Sequence, residues 1–186
     1  MPESWRSTLA ALCTRLDQEA PGFGRWVEPH LMHITLVFLG SQSPTLLEAV
    51  IRAIDTAAES QAPFEIEPAG LGVFGSARSV RVIWAGVHDT PPESLAALHH
   101  KAERALRAEQ IGFDPAEFHP HITLARAQRG STPDQSARAY KALQTIEAWG
   151  PGLATLRCTE IALLRSELRA SGPIYTPLHR ASLKGT

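Results

Sequence analysis

The tetrapeptide His-Ile-Thr-Leu occurs twice in this chain, once beginning at His33 and once beginning at His121. Because the chain has eight histidines, a His-x-Ser/Thr pattern is expected by chance about once. Two copies that share all four residues are not expected by chance. Successive side chains of a β-strand point to opposite faces. If each copy lies in a strand, His33 shares a face with Thr35, and His121 shares a face with Thr123.

Two imidazoles that face one site are suited to acid–base chemistry, because imidazole titrates near pH ~6.5 and can serve in either protonation state. One could take a proton from water while the other protonates a leaving oxygen. The hydroxyls of Thr35 and Thr123 could donate to the non-bridging oxygens of a phosphate. Arg126 ends the second motif run, and its fixed charge could stabilise the charge that develops during displacement. These residue types predict phosphodiester cleavage.

The spacing of the carboxylate residues does not match a metal site, which indicates that this chemistry does not use a metal ion. The chain contains no Asp-x-Asp and no His-Glu-x-x-His pattern, the arrangements that supply hard oxygen ligands or a metalloprotease site. One alternative stays open, since His119 and His121 would share a strand face and could both bind zinc, although Pro120 disturbs regular strand geometry between them. Cys13 and Cys158 have no zinc or redox spacing and are expected to be reduced, structural thiols.

The overall charge limits the kind of partner. Lysine plus arginine (18) nearly balances aspartate plus glutamate (19), which gives a net charge of −1. Such a chain has no general attraction to a long polyanion, so we expect any nucleic acid to be bound at an end. The sequence shows neither a signal peptide nor a run of ~20 apolar residues. We therefore expect a cytoplasmic protein that does not bind membranes.

Hydrophobic periodicity and turn residues predict an alternation of helices and strands. The predicted helices cover 3–19, 43–59, a segment that follows Thr90-Pro91-Pro92 and carries Leu95 to Leu106, and a segment after residue 135 that continues through Trp149. The predicted strands cover 31–39, 64–67, 79–87, 118–126, 153–164 and 174–178, with the glycines between 70 and 75 as a break.

This order contains helix, motif strand, helix and strands, and then the same series again. A repeat of that length is too long for a solenoid unit. It predicts an α+β fold of two pseudo-symmetric lobes, each an antiparallel sheet with helices packed on its outer face, and an active-site cleft between the lobes. We expect residues 1–186 to form a single bilobal domain of two interwoven lobes with one His-x-Thr-x motif each.

The motifs and their flanks resemble the RNA 2',3'-cyclic phosphodiesterases, the LigT-like group of the two-histidine phosphoesterase superfamily. The stretches that carry the resemblance are HLMHITLVFLG at 30–40, RVIWAGV at 81–87, FHPHITLAR at 118–126 and LLRSELRASGPIYTPL at 163–178. The match covers nearly the whole chain. Family members usually begin with a short strand of the type Arg-Leu-Phe-Val-Ala, whereas this chain begins at a helix. Either its first lobe lacks that strand or its start site was chosen too far downstream.

The resemblance implies an enzyme that hydrolyses a terminal 2',3'-cyclic phosphate on RNA to a 2'-phosphate. It implies that His33 is the general acid and His121 the general base, and that Thr35, Thr123 and Arg126 contact the phosphate. It also implies that no metal or organic cofactor and no obligate protein partner is needed, and that the substrates are RNA 3' ends or small cyclic nucleotides.

Two other functions stay open on the sequence. The same site run in reverse would join a 2',3'-cyclic end to a 5'-hydroxyl as a 2'-5' linkage. A protein with this fold could instead bind RNA ends or nucleotides without catalysis.

Overall fold

The computed structural model of the chain describes residues 1–146, 149–169 and 172–185. The helices of these residues are α1 (Glu3–Glu19), α2 (Leu47–Glu59), α3 (Ser94–Ala108) and α4 (Pro133–Gln144). The strands are β1 (Gly24–Trp26), β2 (Phe64–Ser76), β3 (Ser79–Thr90), β4 (His121–Ala127), β5 (Leu156–Cys158), β6 (Glu160–Arg169) and β7 (Gly172–Ser182). The α+β class predicted from the sequence is confirmed.

The helices follow from apolar periodicity and from caps. α1 has the predicted bounds and buries one stripe that contains Trp5, Leu9, Leu12 and Leu16. α2 is preceded by a short 3-10 turn in which the Ser43 hydroxyl accepts a hydrogen bond from the Thr45 N–H, a cap that the sequence predicts. Among the residues described, no helix is both long enough and apolar enough to cross a membrane.

α4 is shorter than predicted. It begins with a capping box in which Thr132 and Gln135 bond each other's backbone N–H groups, and it ends at Gln144. The prediction of a helix through Trp149 is wrong, and residues 147 and 148 of that span lie outside the described residues. Trp149 is buried although it does not lie on this helix, and its indole Nε1–H donates to the Gly86 carbonyl of β3 at 2.7 Å.

A five-stranded sheet has the strand order β1-β4-β3-β2-β5. β4 is antiparallel to both of its neighbours, β1 and β3. β2 continues through its glycines to Ser76 and pairs with β3, so the predicted break between 70 and 75 is wrong. Glycine is tolerated in this strand because a neighbouring ring occupies the space where a side chain would lie, as a Cβ at Gly72 would come within 2.1 Å of the Trp84 ring.

The chain divides into two compact units, each made of three separate segments. Unit 1 comprises Met1–Ile34, Ile66–His88 and Pro120–Leu156, and unit 2 comprises Thr35–Glu65, Asp89–His119 and Arg157–Thr186. In unit 1, α1 packs on α4 and β4 lies between β1 and β3. In unit 2, α2 packs on α3, and β6 and β7 form a two-stranded antiparallel sheet.

The core of unit 2 lies between α2 and α3, where small residues let the helices approach closely. Its buried members are Val50, Ala53, Ala57, Ala102, Ala105, Leu106 and Ile111. Both motif histidines belong to unit 1, whereas Thr35 opens unit 2. The prediction of one motif per lobe within a single bilobal domain stays a prediction.

The first motif run is not the buried strand that the sequence predicts over 31–39. Within it, β-pairing is limited to a single bridge at Ile34. The carbonyls that follow are bonded by other groups: that of Leu36 accepts from the His99 ring, that of Phe38 from the backbone N–H of Asp114, and that of Leu39 from the Gln42 amide. Because backbone polar groups must be satisfied one way or another, such partners replace a strand ladder here.

Candidate active site

The second motif forms the start of β4, as predicted. Ile122 and Leu124 are fully buried, whereas His121 and Thr123 are half-buried on the opposite face. This is the alternation that a strand imposes on the sequence. The imidazole and the hydroxyl therefore stand side by side on one face of the sheet of unit 1.

The first motif places His33 immediately after a 3-10 turn at Pro29–Leu31. His33 is half-buried, and its ring Nδ1 lies 2.7 Å from the Leu31 carbonyl. A carbonyl can only accept, so Nδ1 carries the proton of this bond. The bond orients the ring.

A single antiparallel bridge joins Ile34 to Ile122, the second residues of the two motif copies. Residues on either side of an antiparallel bridge face each other across it, so His33 stands opposite Thr123. His121, two residues before Thr123, lies on the same face as this pair. The bridge thus brings His33 and Ile34 alongside the second motif within unit 1.

Arg126 reaches this face only because β4 contains a bulge. In a regular strand, His121 and Arg126 would point to opposite sides, since an odd number of steps separates them. The register on β3 shifts between Ile83 and Trp84, so that Val82 is opposite Arg126 and Trp84 is opposite Thr123. Val82 and Trp84 share a face, and therefore so do Arg126 and Thr123. The structure therefore brings Arg126 to the side of the sheet that carries His121.

Two aromatic rings flank His121. Phe74 of β2 meets the imidazole edge-on with ring centroids 4.9 Å apart, and the Trp84 ring lies 6.2 Å away. Trp84 is half-buried beside Thr123. Phe38, in contrast, is 56% exposed.

A cavity of about 450 Å³ opens at the end of this face. Its lining residues are Phe74, Arg81, Val82, Arg126 and Ala127. It therefore combines an aromatic ring and an aliphatic side chain with two guanidinium groups. Such a lining suits a ligand that has both an apolar plane and negative charge.

Thr35 is half-buried, and the structure shows how the backbone beside it is held. His99 of α3 lies 2.9 Å through Nδ1 from the carbonyl of Leu36, and its ring stacks on Phe118 with centroids 4.4 Å apart. The His99 side chain is buried. The sequence contains a signal of this burial, because His99 falls on the stripe of Leu95, Ala102 and Leu106 at helical spacing.

The same region contains a group of metal-binding residue types. Ligand atoms of His99, His100 and Glu103 lie within 4.8 Å of one another. Glu103 is 3.6 Å from His99 Nε2 and 3.4 Å from Arg107, so its carboxylate is shared with a cation. His119 and His121, the zinc pair considered from the sequence, do not belong to this group.

The cysteines are not suited to nucleophilic chemistry. Burial raises the pKa of the Cys13 thiol to about 12 and contributes most to raising the pKa of Cys158 to about 11. Both thiols are therefore protonated near neutral pH, and the thiolate is the reactive form. This agrees with the expectation of free, structural cysteines.

Comparison with known proteins gives the family. Residues 3–170 match the 2'-5' RNA ligase superfamily. A protein of Methanothermobacter thermautotrophicus named RNA 2',3'-cyclic phosphodiesterase is 34% identical over 157 residues, which is 83% of this chain and 79% of that protein. A protein of the same name from Thermus thermophilus is 31% identical over 191 residues, which covers 100% of this chain and 87% of that protein.

Solved structures agree with this assignment. TT0787 of Thermus thermophilus has a TM-score of 0.74 at 27% identity, with 100% of this chain and 94% of that chain covered. LigT of E. coli complexed with 3'-AMP has a TM-score of 0.70 at 27% identity, with 98% and 93% covered. Together with the bridge between the two motifs, these matches show that the chain belongs to the 2'-5' RNA ligase superfamily.

Proposed function

We propose that this protein is an RNA 2',3'-cyclic phosphodiesterase that opens a terminal 2',3'-cyclic phosphate to a 2'-phosphomonoester. The observation that carries the proposal is the Ile34–Ile122 bridge, which joins the two copies of the motif. The relatives named for this activity, which resemble nearly the whole chain, support the same reaction.

The reaction needs one base and one acid. Neutral His121 takes a proton from water as the water oxygen attacks phosphorus. The bond between phosphorus and the 3' oxygen breaks, and protonated His33 gives its Nε2 proton to that oxygen. The products are a 2'-phosphomonoester and a 3'-hydroxyl, and the two rings end with their protonation states exchanged.

The hydrogen bond of His33 fits the role of acid. Its Nδ1–H donates to the Leu31 carbonyl at 2.7 Å. With Nδ1 held in this way, Nε2–H is the proton that the ring can transfer. The bond also fixes the direction of transfer, which acid–base catalysis requires.

The phosphate would be held by hydroxyls and by one guanidinium. Thr123 shares a strand face with His121, and we assign Thr35 the equivalent role from the first motif. Arg126 is brought to that face by the bulge in β4. Its permanent charge stabilises the additional negative charge on the non-bridging oxygens in the transition state.

The family description favours one further reaction, 2'-5' RNA ligation. It requires the same two imidazoles, with a 5'-hydroxyl of a second RNA in place of water. Attack by water, which is present at ~55 M, prevails over attack by the 5'-hydroxyl unless the second RNA end is held in position. The relatives named above carry the hydrolase name. Hydrolysis is therefore the main proposal, and a non-catalytic RNA-end-binding role is the outcome if neither reaction occurs. The cytoplasmic location and the lack of need for a cofactor or a protein partner stay predictions.

The test is to incubate the protein and EDTA with a short RNA that ends in a 2',3'-cyclic phosphate, and to locate the phosphate in the product. We expect a 2'-phosphate, with rates at least ~100-fold lower in His33→Ala and His121→Ala. His30→Ala is the matched control, because that exposed histidine lies close in sequence but outside the motif. A 3'-phosphate product, or activity that EDTA abolishes, would contradict the proposed mechanism.

A further inference from the structure

Two histidines and a glutamate meet on one side of α3, and none of them takes part in the proposed reaction. Ligand atoms of His99, His100 and Glu103 lie within 4.8 Å of one another. His99 and Glu103 are four residues apart, a spacing that makes two side chains neighbours on the surface of a helix. All three residues belong to unit 2, whereas both motif histidines belong to unit 1. The group is therefore a separate set of possible ligands.

The ring of His99 is held in the way that metal-binding histidines usually are. Its Nδ1–H donates to the Leu36 carbonyl at 2.9 Å, since a carbonyl can only accept. A bond of this kind fixes the tautomer of a ligating histidine and the orientation of its ring. The ring is also buried, and it stacks on Phe118 with centroids 4.4 Å apart. The position of the other nitrogen, Nε2, is therefore fixed before any ion binds.

The Nε2 atom of His99 faces a carboxylate across a gap that suits a metal ion. It lies 3.6 Å from Oε1 of Glu103, which is longer than a hydrogen bond. In the neutral ring this nitrogen carries a lone pair, as the carboxylate oxygen does, so neither atom can donate to the other. Two ligand atoms of a tetrahedral zinc ion, each about 2.0–2.1 Å from the metal, are about 3.3 Å apart. A small adjustment therefore lets both atoms bind one ion.

His100 supplies a third ligand. Its ring is exposed, and the ring centroid lies 5.2 Å from that of His99, so the side chain can change rotamer rapidly and bring a nitrogen to the ion. Arg107 contacts the other carboxylate oxygen of Glu103, Oε2, at 3.4 Å, which leaves Oε1 for the metal. Two imidazoles and one carboxylate suit zinc, with water in the fourth position, whereas magnesium and calcium prefer oxygen ligands alone.

We propose that His99, His100 and Glu103 form a zinc-binding site on α3. The ion stabilises the folded chain, because its ligands come together only when α3 is formed. It also holds the His99 ring, which joins α3 to the segment around Leu36. The zinc has a structural role, since none of its ligands takes part in the proposed cleavage. Hydrolysis should therefore continue in EDTA.

The test is a calorimetric titration of the metal-free chain, without a histidine tag, with zinc chloride, together with thermal unfolding with and without zinc. We expect one zinc ion per chain and a rise in Tm of about 5–10 °C when free zinc is about 100 times its Kd. His100→Ala and Glu103→Gln should each raise the Kd at least ~10-fold, because each removes one ligand. His88→Ala is the matched control, since it removes an exposed histidine outside the group.

The choice of His100→Ala keeps the test independent of folding, because the side chain that it removes is exposed. A rise in Tm that the wild type and His88→Ala share, and that both ligand variants lack, would support the site. Absence of zinc binding up to about 0.1 mM in the wild type would overturn the inference. Binding that persists unchanged in both His100→Ala and Glu103→Gln would also overturn it, because the zinc would then lie elsewhere on the chain.

Discussion

At the scale of single residues, the duplicated motif identifies the groups that could do the chemistry, and strand alternation predicts that His121 and Thr123 share a face. Strand alternation alone fails for Arg126. It would put Arg126 on the face opposite His121, whereas the bulge in β4 brings Arg126 to the same face. A bulge depends on which residues the neighbouring strand opposes, and one sequence read by itself does not contain that register.

The position of Arg126 leads to a prediction about activity. Arg126→Gln should lower kcat/KM for a 2',3'-cyclic phosphate about 100-fold, because one charge that stabilises the transition state is lost. Arg126→Lys should recover part of the loss, since the charge stays but the planar fork does not. Steady-state kinetics on both variants measures this.

The control is Arg129→Gln, an exposed arginine just beyond the end of β4. Its kcat/KM should stay within about twofold of the wild type. If Arg126→Gln were as active as this control, Arg126 would be an ordinary surface charge.

At the scale of elements, the helices were predictable and the strands less so. Helix bounds follow from local signals, namely apolar periodicity and caps such as those at Ser43 and Thr132. A strand needs a partner that is distant in sequence. The run at 31–39 has strand-like composition, yet its carbonyls are bonded by His99, Gln42 and a loop N–H. Composition alone could not show that.

In β2, a strand is present where the sequence predicted a break. The glycines between 70 and 75 suggested the break, but the strand continues through them, and one of them makes room for an aromatic ring. A Cβ at Gly72 would lie 2.1 to 2.6 Å from three atoms of the Trp84 ring. Trp84 in turn packs near Phe74 and His121. The glycine therefore positions the aromatic wall of the site.

Gly72→Ala should consequently displace the Trp84 ring. We expect a loss of about 1–3 kcal/mol in the free energy of unfolding, the usual cost of overpacking, together with lower activity. Gly70→Ala is the matched control on the same strand and face, because a Cβ there meets nothing within 4 Å. Urea denaturation and tryptophan fluorescence of the two variants measure the difference, and equal stabilities would show that the ring does not depend on Gly72.

At the scale of the whole molecule, the order of elements predicted an α+β fold, and the structure has it. The assignment of chain segments to the two units was not predictable, because each unit takes three separate segments and the boundary passes through the first motif. Net charge was equally uninformative about the site. A chain of net charge −1 places Arg25 directly opposite Arg126 in the sheet.

A substrate with sulfur in place of the bridging 3' oxygen tests most directly the proposal that His33 is the general acid and His121 the general base. A thiol has a pKa near ~8.5, far below that of an alcohol, so its anion leaves without being protonated. His33→Ala should therefore lose at least ~100-fold in rate on the oxygen substrate but less than ~10-fold on the sulfur substrate. His121→Ala should be impaired on both. Equal impairment of the two variants on the sulfur substrate, or recovery by His121→Ala instead, would contradict the assignment of His33 as acid and His121 as base.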